Sequence, residues 1–134
     1  MNLDTLCAQC AHTIVRSNAP DGRLAKREKS KLENTITRSL GVLQEDGVYA
    51  FFLFLDYYKD KSESRGGQAI VEQTLALLRH TEVNVLPAQG QERTHFPALH
   101  TMTNNLDDLL LSRQLLEQAL VYARYHAKAL DAVT

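Results

Sequence analysis

An apolar run from Val48 to Leu55, extended by Tyr57 and Tyr58, most constrains how this 134-residue chain can fold. A helix that crosses a membrane needs about 20 apolar residues, and this run is much shorter. It therefore predicts a helix that is buried on most sides, with one or two of its tyrosines available for a partner surface. Gly47, directly before the run, occupies a position typical of a helix C-terminal cap.

Apolar residues at three- and four-residue steps predict further helices on both sides of this run. The predicted helices are Met1–Ser17, about Arg23–Glu45, Val48 to about Asp60, about Gln68–His80, Phe96–Thr103, and a last one from Asn104 or Asn105 to about Ala132. A polar segment from Thr81 to Thr94 predicts a long loop. Because no strand pattern of convincing length is present, we expect an all-α fold, a compact bundle of about five to six helices in one domain over residues 1–134.

The composition is that of an ordinary soluble globular protein, with 44% hydrophobic and 23% charged residues. The formal net charge is -1, so any nucleic-acid binding has to depend on where the charges lie. No basic segment followed by an apolar stretch begins the chain, and two cysteines do not make a disulfide framework. We therefore expect a cytoplasmic protein that makes no membrane contact.

Motifs that carry catalysis are missing from the sequence, which contains no phosphate-binding loop, dinucleotide fingerprint or nucleophile elbow. Cys7 and Cys10 form a C-x-x-C pair, but a structural zinc site needs four ligands and no second pair exists. Both cysteines lie on the apolar side of the first predicted helix, so we expect them to pack in the core. The sequence thus predicts a protein that is not an enzyme and uses no cofactor and no metal.

The second predicted helix carries a cluster of cations that we call the basic face: Arg23, Lys26, Arg27, Lys31 and Arg38. At about 100° per residue, all of them except the flanking Lys26 fall within a sector of roughly 80°, opposite the apolar side of the helix, and Lys29 lies nearer that apolar side. Cations at one-turn spacing can follow a phosphate backbone, although they read no base sequence. The basic face is therefore the candidate nucleic-acid-binding site, and a solvated helix face with i,i+4 partners is the alternative.

Two blocks of sequence carry a family resemblance. The first, Leu40 to Leu55, combines an amphipathic helix, the corner at Gly47 and an aromatic helix ending in Phe-Leu; the second is the apolar helix from Leu109 to Leu130. In order and spacing they resemble the small subunit of type III CRISPR RNA-guided effector complexes of the Cmr type. The resemblance implies a non-catalytic helical bundle. Such a subunit stacks with copies of itself, joins other effector-complex subunits and contacts the guide RNA–target nucleic acid.

Two other functions remain open from the sequence. One is a helical adaptor that binds only protein, with the basic face meeting an acidic partner. The other is a helical ribonuclease of the HEPN type, because the spacing of Arg93 and His100 is similar to the Arg–His pair of those enzymes. Pro97 lies between them and disfavours the continuous helix that such a pair needs.

Overall fold

The fold is given by a computed structural model that describes residues 2–86 and 96–133. The helices within those residues are α1 (Leu3–Asn18), α2 (Lys26–Asp46), α3 (Val48–Tyr58), α4 (Gly67–Arg79), α5 (Phe96–Met102) and α6 (Leu106–Lys128). Two short strands, β1 (Arg23–Ala25) and β2 (Asp131–Val133), complete the described elements. The predicted all-α bundle of five to six helices is confirmed. The predicted loop Thr81–Thr94 falls outside the described residues from position 87 onwards.

Helices α1 and α6 pack side by side and run in the same direction. Near the start of α1, the Gln118 amide donates a hydrogen bond to the Asp4 carboxylate, with 3.3 Å between Nε2 and Oδ1. Further along both helices, the rings of His12 and His126 meet edge to face with their centroids 5.6 Å apart. Because both contacts advance together along the two helices, the ends of α1 and α6 lie at the same end of the bundle.

Helices α2 and α4 run antiparallel to α1 and α6. Arg113, in the first half of α6, donates a hydrogen bond to the Gln44 carbonyl near the end of α2. Cys10 of α1 lies against the Gln73 carbonyl of α4, and Leu6 and Leu77 line one groove between the same two helices. The starts of α2 and α4 therefore lie beside the ends of α1 and α6.

The corner between α2 and α3 depends on Gly47. Its φ of 95° lies in the region that favours glycine, and its N–H donates to the Leu43 carbonyl at 3.1 Å, which closes α2. After the corner, Phe51, Phe52 and Leu55 are fully buried, as the apolar run predicts. Burial of the Phe51 and Phe52 rings contributes about 2–3 kcal/mol each to folding by apolar area, which anchors α3 against α2.

The two strands correct the sequence-based boundaries. Arg23–Ala25 were predicted to begin the second helix, but they pair in parallel with Asp131–Val133, so α2 starts at Lys26. The last helix was predicted to reach Ala132, and it ends at Lys128. The Asp131 N–H also donates to the Gly22 carbonyl at 3.1 Å. Because the two strands are far apart in sequence, neither segment carries a periodic signal of their pairing. The sequence-based prediction therefore assigned both segments to the adjoining helices.

The C-x-x-C pair packs in the core, as predicted. Cys7 and Cys10 are both free and buried, and their Sγ atoms lie 3.5 Å from the carbonyls of Leu115 and Gln73 respectively. Burial raises the pKa of Cys7 to about 11 and that of Cys10 to about 12, so both stay protonated near neutral pH. The two thiols thus behave as small apolar side chains.

Among the described residues, no helix combines the length and the apolar character needed to cross a bilayer. The most apolar helix, α3, extends only from Val48 to Tyr58.

Candidate nucleic-acid interface

The direction of the helices gives the bundle two ends of opposite charge. One holds the end of α1, both strands, the start of α2 and the α3–α4 loop; we call it the basic end, and its main cations are Arg16, Arg23, Lys26, Arg27, Lys29, Lys31 and Arg65. The other holds the end of α2, the end of α4 and the start of α6; we call it the acidic end, and its carboxylates are Glu45, Asp46, Glu82, Asp107 and Asp108. Asp21, Glu28, Glu63 and Asp131 at the basic end and Arg79 and Arg113 at the acidic end reduce the separation, which leaves an excess of cations at one end and of carboxylates at the other.

Three residues of the basic face lie at the basic end with exposed side chains. Arg23 is on β1, while Lys26 and Arg27 are the first two residues of α2. Arg23 therefore does not share the helical row that its sequence position predicted, although the strand pairing holds it next to that row. Within residues 2–86 and 96–133, none of the three side chains forms a salt bridge. They are the cations most available to a phosphate.

Lys31 is partly committed within the protein. Its Nζ lies 3.6 Å from Glu28 Oε1, and Arg65 Nη1 approaches Oε2 of the same carboxylate at 3.4 Å. The second guanidinium nitrogen of Arg65 donates to the Asn18 carbonyl at 3.0 Å. One carboxylate therefore lies between two cations, and this cluster keeps a net positive charge while it ties α1, α2 and the α3–α4 loop together.

Arg38 is further along α2 and rests on aromatic rings of α3. Its guanidinium carbon is 4.8 Å from the centroid of the Tyr58 ring and 5.9 Å from that of Phe54. One nitrogen, Nη1, also lies 3.3 Å from the Tyr58 hydroxyl. Stacking of this kind fixes the plane of the guanidinium and leaves its other N–H groups free to donate. From Arg27 to Arg38 the row of cations extends about 16 Å along the axis of α2. Glu45 lies two turns after Arg38 on the same side of the helix, and the row of cations ends there.

The binding site predicted from the sequence leaves out two cations of the basic end. Arg16 comes from the last turn of α1, where Nη1 donates to the Pro20 carbonyl at 3.0 Å, and Arg65 comes from the loop before α4. Neither belongs to a periodic pattern with α2, so no signal in the sequence placed them there. Lys29 is half-buried, in agreement with its predicted position nearer the apolar side.

The position of Arg65 depends on the glycine that follows it. Gly66 has a φ of 92°, and a Cβ atom at this position would lie 2.5 Å from Leu32 Cδ1. The turn can therefore pass close to α2 only because residue 66 has no side chain. This close approach brings Arg65 within reach of Glu28.

The described residues contain no cluster of three or more histidine, cysteine or carboxylate side chains that would hold a metal ion. His100, one half of the Arg–His pair considered above, is exposed on α5 with its ring centroid 6.2 Å from that of Tyr49. Arg93 lies outside the described residues. The geometry therefore leaves the ribonuclease hypothesis without a described partner for His100.

Comparison with protein-family models, with curated proteins and with solved structures finds no match to this chain.

Proposed function

We propose that this protein is a non-catalytic subunit that binds the phosphate backbone of nucleic acid through its basic end. The observation that carries the proposal is the exposed group Arg23, Lys26 and Arg27, which forms no salt bridge among the described residues. On a solvent-exposed helix face with no ligand, cations commonly form salt bridges with carboxylates one turn away, as Lys31 does with Glu28. Lys26 and Arg27 have no carboxylate one turn away, and Arg23 forms no salt bridge with Asp131, its register partner on β2. The three side chains therefore remain available to neutralise phosphates.

The electrostatics of α2 strengthen the basic end. The N-terminus of a helix carries a partial positive charge, and no side chain caps the start of α2. Arg65 and Arg16 add guanidinium groups from neighbouring elements. The acidic end would repel the same phosphates, so a nucleic-acid strand is expected to approach the molecule from one side only.

A finer proposal places the chain as a small structural subunit of a type III, Cmr-type CRISPR effector complex in the cytoplasm. Its support is the pattern of the two sequence blocks described above, which form the α2–α3 corner and most of α6. In such a complex the subunit stacks with copies of itself and contacts other subunits. Leu106 and Leu110, one turn apart at the start of α6, are 67% and 55% exposed and offer an apolar surface for protein contact.

A salt titration tests the backbone contact. We expect the purified protein to bind a fluorescein-labelled 20-nucleotide RNA at low salt, with affinity falling roughly 20-fold between 50 and 200 mM NaCl, as about three phosphate contacts predict. The triple variant Arg23→Glu, Lys26→Glu, Arg27→Glu should lose roughly 100-fold or more in affinity at 50 mM. Arg113→Glu reverses a single charge at the acidic end, where the triple variant reverses three at the basic end, and should bind like the unaltered protein.

Three outcomes would contradict the proposal. If the triple variant binds RNA as tightly as the unaltered protein, the basic end is not the interface. If neither protein binds RNA at millimolar concentration and low salt, the basic end has no nucleic-acid role, and an acidic protein partner becomes the better explanation. Incubation with labelled RNA should give no cleavage; cleavage that His100→Ala abolishes would favour the ribonuclease.

A further inference from the structure

Tyr57, on the outer side of α3, is the most exposed tyrosine among the described residues. Its side chain is 69% exposed, whereas Phe51, Phe52 and Tyr58 of the same helix are buried. Lys61, one turn later, holds its Nζ 4.4 Å from the centroid of the Tyr57 ring. The ring is therefore largely exposed despite the contact with Lys61 and is available to stack with a flat ligand.

Helical spacing places Tyr57 beside the aromatic side chains that Arg38 contacts. Arg38 rests on Phe54 and Tyr58, whose rings stack with centroids 5.0 Å apart at an angle of 19°. Tyr57 is adjacent to Tyr58 in the chain and about one turn after Phe54, so the three rings follow one another around α3. A strand held by Arg27 and Arg38 of α2 would therefore meet these aromatic side chains next.

We propose that Tyr57 is a stacking site for an unpaired nucleobase, and that the nucleic acid taken by this surface is single-stranded. The inference rests on the proposed function, because the basic face supplies the contact that brings the strand to α3. Aromatic rings beside a row of cations are the usual means of holding single strands, since every base offers a flat face to stack on. A duplex keeps its bases stacked within the helix and cannot offer one to Tyr57.

The carboxylates near Tyr57 favour a base over a phosphate at this position. Asp60 is exposed about one turn away, while Asp56 is paired with Lys59, with 3.6 Å between Nζ and Oδ1. Hydrogen bonds from its own backbone and from Ser62 lower the pKa of Glu63, and the cations that interact with this carboxylate are Lys61 and Arg38. These negative charges repel a backbone that passes beyond Lys61, whereas an uncharged base can still occupy the ring.

The test compares three ligands on the intact chain: a 12-nucleotide single-stranded RNA, the same RNA annealed to its complement, and a strand of equal length whose bases are removed. We expect Tyr57→Leu to weaken binding of the single strand by roughly 5- to 100-fold and to leave the duplex and the abasic strand unchanged. Tyr57→Phe keeps the ring and should bind like the unaltered protein. Tyr125→Leu is the matched control, because Tyr125 on α6 is 62% exposed and also has an arginine beside it.

A second readout reports stacking directly. With 2-aminopurine in the single strand, binding to the unaltered protein should change the fluorescence of the base, and binding to Tyr57→Leu should not. Since Tyr57 is exposed, the variant is expected to fold, which its melting temperature checks.

The outcomes separate the two proposals. If Tyr57→Leu leaves single-strand binding unchanged, or weakens all three ligands equally, the stacking site is wrong while the basic end can still stand. If Tyr125→Leu causes the selective loss instead, the base lies on α6 and the assignment to α3 fails. If the Arg23, Lys26 and Arg27 triple variant binds every ligand normally, the proposed function itself fails, and the stacking site with it.

Discussion

The start of α2 and the start of α6 show how differently the two ends of the molecule use charge. At the acidic end, the side chain of Asn105 accepts from the Asp108 N–H at 3.1 Å, and Asp107 and Asp108 occupy the first turn of α6. Both features stabilise a helix, since carboxylates complement the partial positive charge of its N-terminus. At the basic end, α2 begins with Lys26 and Arg27 and has no side-chain cap.

This difference separates charges that stabilise the fold from charges that do not. The carboxylates of α6 stabilise the helix that carries them, so they need no ligand. Lys26 and Arg27 oppose the dipole of α2, and only Glu28 in that first turn compensates for them. Because Lys26 and Arg27 destabilise the helix that carries them, we expect them to be present for binding. Four predictions test this contrast between the two ends.

The largest expected effect concerns the turn that builds the basic end. Gly66→Ala should lower the free energy of unfolding by about 2–4 kcal/mol, because the new Cβ meets Leu32 at a positive φ. Gly41→Ala is the control, since a Cβ there has nothing within 4 Å and alanine favours a helix interior. Chemical denaturation should show loss for the first and a gain of up to about 1 kcal/mol for the second. Equal stability of the two variants would show that the turn does not depend on the close approach.

A smaller effect is expected from the capping difference. Asn105→Ala should cost about 1 kcal/mol, because the Asp108 N–H loses its acceptor, whereas Ala25→Ser supplies an acceptor that α2 lacks and should add about 0.5 kcal/mol. Urea midpoints of the two variants measure both effects. A loss on Ala25→Ser would mean that the strand pairing of β1 excludes the capping conformation.

Charge reversal in the first turns should give opposite signs at the two ends. Lys26→Glu is expected to stabilise the free protein by about 0.5 kcal/mol, and Asp107→Lys to destabilise it by a similar amount. Both side chains are exposed, so the effects should shrink in 1 M NaCl. If Lys26→Glu destabilises the protein, the cations of α2 contribute to folding and the contrast between the ends disappears.

The smallest effect is expected from adding cations at the acidic end. Glu45→Lys combined with Asp46→Lys raises the total charge by four, yet RNA affinity should rise less than about twofold in 0.15 M salt. Both positions lie about 27 Å or more along α2 from Arg27, well beyond the distance over which exposed charges act at that salt. Fluorescence anisotropy with the same labelled RNA measures this. A tenfold gain would indicate that total charge governs binding and that its placement does not.

Periodicity predicted most of the fold. Positions such as Leu32, Ile36 and Phe51 face the core because a 3.6-residue repeat depends only on neighbours along the chain. The basic end was predicted only in part, since it is assembled from distant segments. The contact between Arg65 and Glu28 crosses from a loop to α2, and Arg38 finds its aromatic partners on another helix. Contacts between such distant residues produce no pattern in the sequence on either side of them.

The pairing of β1 with β2 also determines when, during folding, the basic end is completed. Arg23 is fixed beside the start of α2 only when it meets Asp131, and closing so long a loop costs conformational entropy and slows folding. During synthesis α2 leaves the ribosome long before residues 131–133 are made. The acidic caps of α6 form from neighbouring residues as soon as that helix exists, whereas the strand pairing that completes the basic end has to wait for the last of these segments. A nascent chain would therefore carry the cations before it holds them in place, and the proposed binding of RNA is expected to become possible only late in folding.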